Sequence, residues 1–177
     1  MKYFKKIVGK RIYLSPMNAE DAALYVKWLN DFGVTDNIGA SSRVTTLDDE
    51  KEWIQKNSNK FIFAIVKAED DSLIGNCGFH NIDQGKQCAE VGIFIGEKKF
   101  WNQGYGCEAM RLMLRHGFND LNLNRIYLRV YATNPRAVKS YEKAGFTHEG
   151  QLRQAHFQGG QYVDVLLMSI LRSEWNE

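Results

Sequence analysis

Residues 61–131 contain three strand patterns in direct succession, followed by one helix pattern and a fourth strand. Phe61–Val66 is a continuous apolar run that predicts a buried strand, and Ser72–His80 and Ala89–Ile95 predict the next two. Short connectors with turn-forming residues separate these three strands, so we expect them to be antiparallel. A helix-length segment then precedes Ile126–Tyr131. Because a parallel neighbour needs such a long connection, this segment predicts one parallel pair in a mostly antiparallel sheet.

The flanking regions add helices and strands to this sheet. Before residue 61, a strand pattern is followed by two helix patterns, the first capped by Asn18 and the second starting at Thr46 or Asp48. Residues 31–45 between them are rich in Gly, Ser, Thr and Asn, and predict a loop. The other predicted elements are a strand at 11–17, helices at about 104–121 and 135–144, and strands at about 146–156 and 162–171. This order predicts an α/β (α+β) fold whose sheet is flanked by about four helices.

Length and composition limit the class of protein. A chain of 177 residues suits one domain, so residues 1–177 are interpreted as a single domain. The net charge of +2 lacks the dense basic stripe typical of nucleic-acid binding. The sequence contains no signal-peptide pattern and no apolar run of roughly 18 residues that could span a membrane. Cys77, Cys88 and Cys107 are odd in number and lack CxxC spacing. We therefore expect a cytoplasmic protein with reduced thiols, no metal site, and no nucleic-acid or membrane partner.

A glycine-rich turn, Trp101–Gly106, comes directly before the long predicted helix. Such a turn presents free backbone N–H groups at the positive end of the helix dipole, and these can bind phosphate without lysine or arginine. The alternative is a turn that uses glycine only for its positive φ. The spacing Gly104-x-Gly106-x-x-Ala109 matches a dinucleotide-binding motif, but residues 122–130 contain no carboxylate for the ribose. This disfavours a nicotinamide-dependent oxidoreductase, and the absence of a GxxxxGK[ST] pattern from the sequence excludes a P-loop.

A second motif, at 134–146, reads Asn-Pro-Arg-Ala-Val-Lys-Ser-Tyr-Glu-Lys-Ala-Gly-Phe. Asn134 and Tyr141 are about two helical turns apart, and therefore lie on one face of the predicted helix. A carboxamide can bind a ligand amide, and a phenol can donate a proton. Taken singly, each residue also has a structural interpretation, Asn134 as the helix cap and Tyr141 as a packing residue.

In combination, these motifs resemble the Gcn5-related N-acetyltransferases (GNAT). The pattern is a strand of the Ala-Glu-Val-Gly-Ile-Phe-Ile type, then Trp-x-x-Gly-Tyr-Gly-x-Glu-Ala, then Asn-x-x-Ala-x-x-x-Tyr-x-Lys-x-Gly-Phe. The branch that it resembles most is that of the ribosomal-protein N-acetyltransferases (the Rim type), together with the spermidine acetyltransferases. The resemblance covers the chain from about residue 9, and it implies acetyl-CoA as the co-substrate.

The resemblance also implies a set of cofactor-binding residues. Backbone groups of Phe94, Ile95 and Gly96 are expected to pair with the pantetheine arm and hold the thioester carbonyl, where the strand splays at a bulge near Gly92. The pyrophosphate is expected in a cradle of seven backbone amides, those of Trp101, Asn102, Gln103, Gly104, Tyr105, Gly106 and Cys107. The family usually has Gln or Arg first and Gly-Lys before the central glycine. This chain has Trp and Asn-Gln there, so we expect weaker charge assistance.

The second motif is expected to complete the site. Asn134 is expected to bind the pantetheine arm, Ala137 and Lys143 to contact the cofactor, and Tyr141 to lie near the sulfur. A phenol has an unperturbed pKa of about 10 and a thiol about 8.5, so Tyr141 is the predicted general acid for the leaving thiolate.

The general base has several candidates. Glu90 lies on a predicted strand between apolar residues, where burial would raise the pKa of its carboxyl group, although it can also be a surface carboxylate at the strand start. Asp164, His80 and His156 are further candidates, and a chain of waters can replace any single base. Cys107 suggests a covalent acetyl-enzyme, but no histidine follows it in a nucleophile–base pattern.

The sequence thus predicts an enzyme that transfers an acetyl group from acetyl-CoA directly to a primary amine. The acceptor is a protein N-terminal α-amine, a polyamine or another small amine. The alternative is a non-catalytic domain that binds acyl-CoA or regulates another protein. Asp and Glu residues between positions 31 and 52 suit a cationic acceptor or a solvated face. Trp28, Phe32, Trp53 and Phe157 are expected either in the acceptor site or in the core. The sequence allows a monomer or a homodimer.

Overall fold

The computed structural model describes residues 2–57 and 60–176. Within these residues, a single sheet contains β1 (Ile7–Val8), β2 (Ile12–Pro16), β3 (Ile62–Lys67), β4 (Leu73–Asp83), β5 (Cys88–Ile95), β6 (Arg125–Tyr131), β7 (Thr147–Gln158) and β8 (Gln161–Leu171). Their order across the sheet is β1-β2-β3-β4-β5-β6-β8-β7. Strands β5 and β6 are parallel, and the other neighbouring pairs are antiparallel. The predicted sheet is therefore confirmed. Strand β1 lies outside the predicted elements, since two residues show no alternation.

The described residues also form five helices: α1 (Ala22–Leu29), α2 (Phe32–Thr35), α3 (Leu47–Asn57), α4 (Tyr105–Arg115) and α5 (Pro135–Ala144). A π-helical turn, His116–Asp120, continues α4 and accounts for its longer predicted extent. The predicted loop at 31–45 is wrong for α2. Asp31 starts this helix by accepting a hydrogen bond from the Gly33 N–H at 2.8 Å. A cap of this kind supports a single turn, which is too short to show helical periodicity.

Two clusters of buried side chains lie on the two faces of the sheet. Helices α4 and α5 cover one face, where Met110, Met113 and Phe118 pack at helical spacing against strand residues. Helices α1 and α3 cover the other face through residues that include Tyr25 and Trp28. Burying a large apolar side chain stabilises the fold by about 1.5–3 kcal/mol. Both layers are therefore anchored to the strands that carry the site.

Strands β5 and β6 separate after a short paired segment. Their pairing covers three positions and ends where Glu90 meets Tyr127. Beyond that point β5 continues along β4 and β6 continues along β8, so the sheet opens between them. The predicted splay is present, but the predicted bulge near Gly92 is wrong, because β5 keeps an unbroken register with β4 from Glu90 to Ile95. The extra residue lies in β4, between His80 and Asp83, opposite the start of the opening.

No helix in residues 2–57 and 60–176 combines the length and the apolarity needed to cross a membrane. The same residues contain no group of three or more His, Cys, Asp or Glu side chains that could hold a metal ion. The ends of the predicted domain, residues 1 and 177, lie outside the described part of the chain.

Candidate active site

A cavity of about 1530 Å³ runs through the opening between β5 and β6. Its walls include residues of β4, β5, β6, β7 and α3, the segment before α3, the first turn of α4, and α5 along its length. This volume exceeds the 300–1,000 Å³ typical of sites for small ligands, and suits a long ligand together with a second one. The predicted site residues line this cavity, with the exceptions of Gly96 and Gln103.

The glycine-rich turn ends in a helix start that has no side-chain cap. Gly104 has φ 82° and no side chain to accept a hydrogen bond, and α4 follows at Tyr105. The first N–H groups of an α-helix have no acceptor within the helix, so those of α4 are available to a ligand. At Gly106, the atom nearest to an added Cβ among the described residues is Ser140 Oγ at 3.9 Å. Protein packing alone therefore does not require glycine at 106, whereas a closely approaching phosphate would.

An ion pair between Arg11 and Glu108 fixes the start of α4 to the residue directly before β2. Glu108, in the first helical turn, accepts hydrogen bonds from the Arg11 backbone N–H at 2.7 Å and from Arg11 Nε at 2.9 Å. Arg11 also donates to the Gln103 carbonyl, and its guanidinium lies 4.6 Å from the centre of the Tyr105 ring. Burial acts to raise the pKa of Glu108, but these hydrogen bonds outweigh it and lower that pKa. No local sequence signal predicts this pair, because its members are 97 positions apart.

Trp101 spans the opening from β5 to α5. Its indole Nε1 donates to the Ile95 carbonyl at 2.7 Å, and the Arg136 guanidinium lies 3.7 Å from the ring centre. Burial lowers the pKa of Arg136. Arg136 was not a predicted site residue, yet it lines the cavity beside the phosphate-binding turn. The tryptophan at this position thus holds a cation at the cavity wall, close to the glycine-rich turn.

The backbone of β5 has fewer free hydrogen-bonding groups for a ligand than the sequence predicts. Gly96 N–H already donates to the Ile74 carbonyl at 2.9 Å, and an added Cβ on Gly96 would lie 2.0 Å from the Trp28 ring. The Gly96 N–H is therefore unavailable to a ligand, and this glycine serves close packing instead. The Ile95 carbonyl is used by the indole, and antiparallel alternation directs the Phe94 backbone toward Asn76 of β4. The N–H groups of Ile93 and Ile95 are left facing the opening.

Helix α5 places a carboxamide and a phenol on the cavity wall. Asn134 is buried and caps the helix, with its Oδ1 accepting from the Ala137 N–H at 3.1 Å. Its Nδ2 has no acceptor in residues 2–57 and 60–176, so it can donate to a ligand amide. Tyr141 lines the cavity, and burial raises its pKa to about 12. Lys143 and Ala137 line the same wall.

The predicted base Glu90 does not lie in an apolar environment. Its Oε1 accepts from Arg129 Nε at 2.8 Å, and its Oε2 accepts from Asn81 Nδ2 at 3.0 Å. The prediction of an apolar environment is therefore wrong. Glu90 does line the cavity, but the guanidinium that pairs with it comes from β6, which the local pattern does not show. Asp164 accepts hydrogen bonds from Gln151 and from the Gln154 N–H, and does not line the cavity.

The remaining candidates divide between the cavity and other surfaces. His80 and His156 line the cavity, and the His156 ring stacks on Tyr131 with centroids 4.2 Å apart. Cys107 lines the cavity, but within the described residues it has no hydrogen-bonded base. Among the four predicted aromatics, Trp53 lines the cavity, and Trp28 is in the core. Phe32 and Phe157 are more than half exposed and lie outside the cavity.

A second carboxylate on the acceptor side was not predicted. Glu50 of α3 lines the cavity and is 5% exposed. Burial raises the pKa of its carboxyl group to about 7. In the sequence, Glu50 was one of several acidic residues around α3, and its burial depends on how α3 packs against α1. Glu50 lies four positions before Ile54 and therefore on the same, buried face of α3, a spacing that the sequence analysis did not use.

The fold and the cavity define an acyltransferase of the kind that binds a CoA thioester in an opened sheet. A family model described as an acetyltransferase (GNAT) domain matches residues 11–147. The N-acetyltransferase p20 of Bacillus licheniformis is 31% identical over 172 residues, covering 94% of this chain and 96% of that protein. The spermidine N(1)-acetyltransferase of Vibrio cholerae is 35% identical over 111 residues, covering 63% of this chain and 64% of that protein.

A solved structure supports the same assignment. The spermidine N-acetyltransferase from Vibrio cholerae, in complex with CoA and spermine, superimposes with a TM-score of 0.85 at 27% identity, covering 94% of this chain and 98% of that one. The chain belongs to the GNAT acetyltransferase family, and it is an acetyl-CoA-dependent N-acetyltransferase. The resemblance found in the sequence is therefore confirmed.

Proposed function

We propose that this enzyme transfers the acetyl group of acetyl-CoA directly to a primary amine that carries positive charge, with a polyamine, another small amine or a protein N-terminal α-amine as the acceptor. The observation that supports this most is the arrangement of the cavity. An anion-binding helix start and a buried phenol lie along one wall, and α3 brings a buried carboxylate to the other. The spermidine acetyltransferases among the relatives act on a polycationic amine, which agrees with the acidic acceptor side.

The residues along α4 and α5 fit acetyl-CoA. The uncapped N–H groups from Gly104 to Cys107 would hold the pyrophosphate, and the nearby Arg136 guanidinium would add charge. Asn134 Nδ2 and the Ile95 N–H would pair with amide groups of the pantetheine arm and with the thioester carbonyl. This set differs from the sequence prediction in assigning no role to the Gly96 N–H.

Acyl transfer at this site requires a donor for the oxyanion and a proton for the sulfur. The Ile95 N–H is one of two strand donors that face the opening, the other being that of Ile93, and a fixed N–H at a developing oxyanion is worth about 3 kcal/mol in the barrier. Tyr141 would give its phenolic proton to the leaving sulfur. Its pKa of about 12 keeps the proton on the phenol at neutral pH. A thiolate in the same buried site is also poorly solvated and therefore more basic than in water, which narrows the pKa gap between acid and leaving group.

We further propose that residues 1–177 act as one N-acetyltransferase domain, as a monomer or a homodimer, in the cytoplasm and without a metal. The free thiols of Cys77, Cys88 and Cys107 support a reducing compartment. Size-exclusion chromatography with light scattering would distinguish the two oligomeric states.

The proposed function is tested by thiol release from acetyl-CoA with the purified protein. The acceptor panel is spermidine, spermine, aminoglycosides, free amino acids, and peptides with Ala, Ser or Met at the N-terminus. Release with one amine class, and a product heavier by one acetyl group in mass spectrometry, is the expected result. Calorimetric titration with CoA is run in parallel on the same preparation.

Two results would count against the proposal in different ways. CoA binding without thiol release from any amine would favour the alternative of a non-catalytic acyl-CoA-binding domain. Absence of both CoA binding and thiol release would remove the cofactor assignment as well.

A further inference from the structure

The acceptor side of the cavity contains one carboxylate that is buried and has no partner. Glu50 lies one turn into α3 and is 5% exposed, although its neighbours Asp49 and Lys51 are exposed. Within residues 2–57 and 60–176, its side chain makes no hydrogen bond or ion pair. Burial disfavours the charged form of this carboxylate, although its oxygens are not among the fully enclosed, unpaired side-chain atoms of the described residues. A cationic ligand in the cavity would therefore reach these oxygens and supply the missing partner.

The packing of α3 places Glu50 over the strands that hold the thioester. Glu50 lies close enough to Tyr25 of α1 to contribute, after burial and Asp21, to the raised pKa of that phenol. Tyr25 in turn directs its hydroxyl toward the Gly75 carbonyl of β4, and its ring lies 6.3 Å from that of Phe94 of β5. Phe94 and Glu50 line the same cavity. Glu50 therefore lines the same cavity as the segment of β5 that contains Phe94 and Ile95, where the acetyl carbonyl is expected.

The other ionisable groups around Glu50 already have partners or are open to solvent. Asp21, next to α1, pairs with Lys2 at 2.5 Å and accepts from Tyr3 at 2.9 Å. Asp49, the adjacent carboxylate, accepts from Thr46 Oγ1 at 2.6 Å in the cap of α3.

Glu90, Arg43 and His80, on the sheet and in the loop before α3, are also either paired or exposed, unlike Glu50. Glu90 is held by Arg129 and Asn81, whereas Arg43 and His80 are exposed groups on the cavity wall. Glu50 thus differs from the other carboxylates of the cavity in being both covered and unpaired.

We propose that Glu50, rather than Glu90, is the general base that takes a proton from the ammonium group of the acceptor. This inference rests on the proposed acetyl transfer to an amine. The Glu50 carboxylate binds the ammonium group and removes one proton, which leaves a lone pair on nitrogen. Binding also supplies the partner that the buried carboxylate lacks.

The remaining bonds and protons then balance. The amine nitrogen forms a bond to the acetyl carbon, and the bond from that carbon to sulfur breaks. Sulfur receives the phenolic proton of Tyr141, and the second ammonium proton, released from nitrogen as the amide forms, restores that phenol. Glu50 returns its proton to water through the open end of the cavity. One proton is released in total for each acetyl group transferred to an ammonium ion.

The protonation state of Glu50 suits this role. Its pKa of about 7 makes it a stronger base than an ordinary carboxylate while leaving a large fraction ionised at neutral pH. In Glu90, by contrast, the carboxylate oxygens already accept hydrogen bonds from a guanidinium and a carboxamide.

The test is the pH profile of kcat/KM for wild type and Glu50→Gln, using the best amine from the acceptor panel. For wild type we expect an acidic limb with an inflection near pH 7. For Glu50→Gln we expect a loss of about 100-fold or more at neutral pH, and an inflection moved toward the amine's own pKa, about 10 for a lysine-like amine. The difference between the two should shrink as pH rises, because the amine then arrives already deprotonated. A purely structural role would not move the inflection.

Two further variants and one binding measurement complete the experiment. Glu52→Gln is the matched control, since Glu52 lies on the same helix, is exposed, and pairs only with Lys56 among the described residues. It should keep the wild-type profile. Glu50→Asp keeps a carboxylate and should retain an acidic limb near neutral pH at a reduced rate. All variants should bind CoA with wild-type affinity in calorimetry, which also establishes that they are folded.

An active wild-type enzyme whose Glu50→Gln variant keeps the limb near pH 7 would overturn the assignment of Glu50 and leave the acetyltransferase function standing. A Glu90→Gln variant that loses that limb, while Glu50→Gln keeps it, would return the role to Glu90. A wild-type protein that releases no thiol with any amine would instead overturn the proposed function, and the Glu50 assignment with it.

Discussion

The two halves of the cavity are built from different parts of the chain. On the proposed cofactor side, the groups offered to a ligand are largely backbone: the uncapped start of α4 and the free edge of β5. On the acceptor side, the chemistry belongs to side chains of α3 and the sheet, and above all to Glu50. A backbone site needs only the right conformation at a few positions, whereas a buried side chain needs a surrounding structure that determines its protonation. We therefore expect the two halves to respond to mutation in different ways.

Tyr141 belongs to the cofactor wall but acts through its side chain, so it is the strongest test of this division. We expect Tyr141→Phe to lower kcat about 100-fold or more, because the leaving sulfur loses its proton donor. CoA affinity should change little, since the ring and its packing against Phe146 are kept. Steady-state kinetics and calorimetric titration with CoA measure the two quantities separately.

The matched control for this change is Tyr162→Phe, which removes a hydroxyl from a largely exposed ring outside the cavity. It should leave kcat at the wild-type value. A Tyr141→Phe variant with unchanged kcat would show that water or another group protonates the sulfur.

The ionised Glu50 carboxylate on the acceptor side should lower the free energy of unfolding of the protein. Glu50 has a pKa of about 7 in the fold, against 4.5 for an ordinary glutamate, so folding favours the neutral form. Below pH 4.5 both states are neutral and the group has no effect. Between pH 4.5 and 7 the unfolded state loses the proton that the folded state still holds, so the folded state loses relative stability across this range, by about 3 kcal/mol in total above pH 7. The free energy of unfolding of Glu50→Gln minus that of wild type should therefore be near zero at acidic pH and positive above pH 8.

Chemical denaturation at pH 4 and at pH 8.5 measures that difference directly, because the contributions of other groups cancel between variants. Glu52→Gln should show no such pH dependence. If Glu50→Gln is no more stable than wild type at pH 8.5, the carboxylate is not desolvated in the free enzyme.

The same contrast explains how far the sequence could predict the molecule. The β-strand series, the single crossover and the helix start after Gly104 follow from periodicity and from glycine, which act over a few residues. The Arg129 partner of Glu90 comes from a strand 39 positions away, and the burial of Glu50 depends on helix packing. Sequence alternation could show that Glu90 faces the cavity, but not which charge it would meet there. Helix α2 was missed because one capped turn has no period.

Substitutions at Gly106 and Gly96 should separate an effect on CoA binding from an effect on packing. An added methyl group at Gly106 would meet its nearest described neighbour, Ser140 Oγ, only at 3.9 Å, so the fold should tolerate Gly106→Ala. The methyl group would instead occupy space beside the N–H groups presented to the pyrophosphate. We expect the CoA dissociation constant to rise about 10-fold, or roughly 1.4 kcal/mol, with unchanged or slightly higher thermal stability.

Gly96→Ala should give the opposite pattern. The added methyl group would lie 2.0 Å from the Trp28 ring, which is itself in the core. Overpacking of this kind costs about 1–3 kcal/mol, so the melting temperature should fall. Equal losses of CoA affinity and stability in both variants would mean that Gly106 also serves packing, and that the phosphate is held elsewhere.

The smallest expected effect concerns the ion pair that ties α4 to β2. Glu108 is ionised in the folded state at a pKa below its usual value, because Arg11 and the Ile12 N–H donate to it and outweigh the opposing effect of burial. Its stabilising contribution is present above the usual glutamate pKa and is lost as pH falls through the lowered one. Glu108→Gln should cost roughly 1 kcal/mol at pH 7 and less in acid, as measured by chemical denaturation. CoA affinity should fall only slightly, since the phosphate-binding N–H groups remain. A large loss of affinity without a loss of stability would show that this carboxylate orients the turn rather than anchoring the helix.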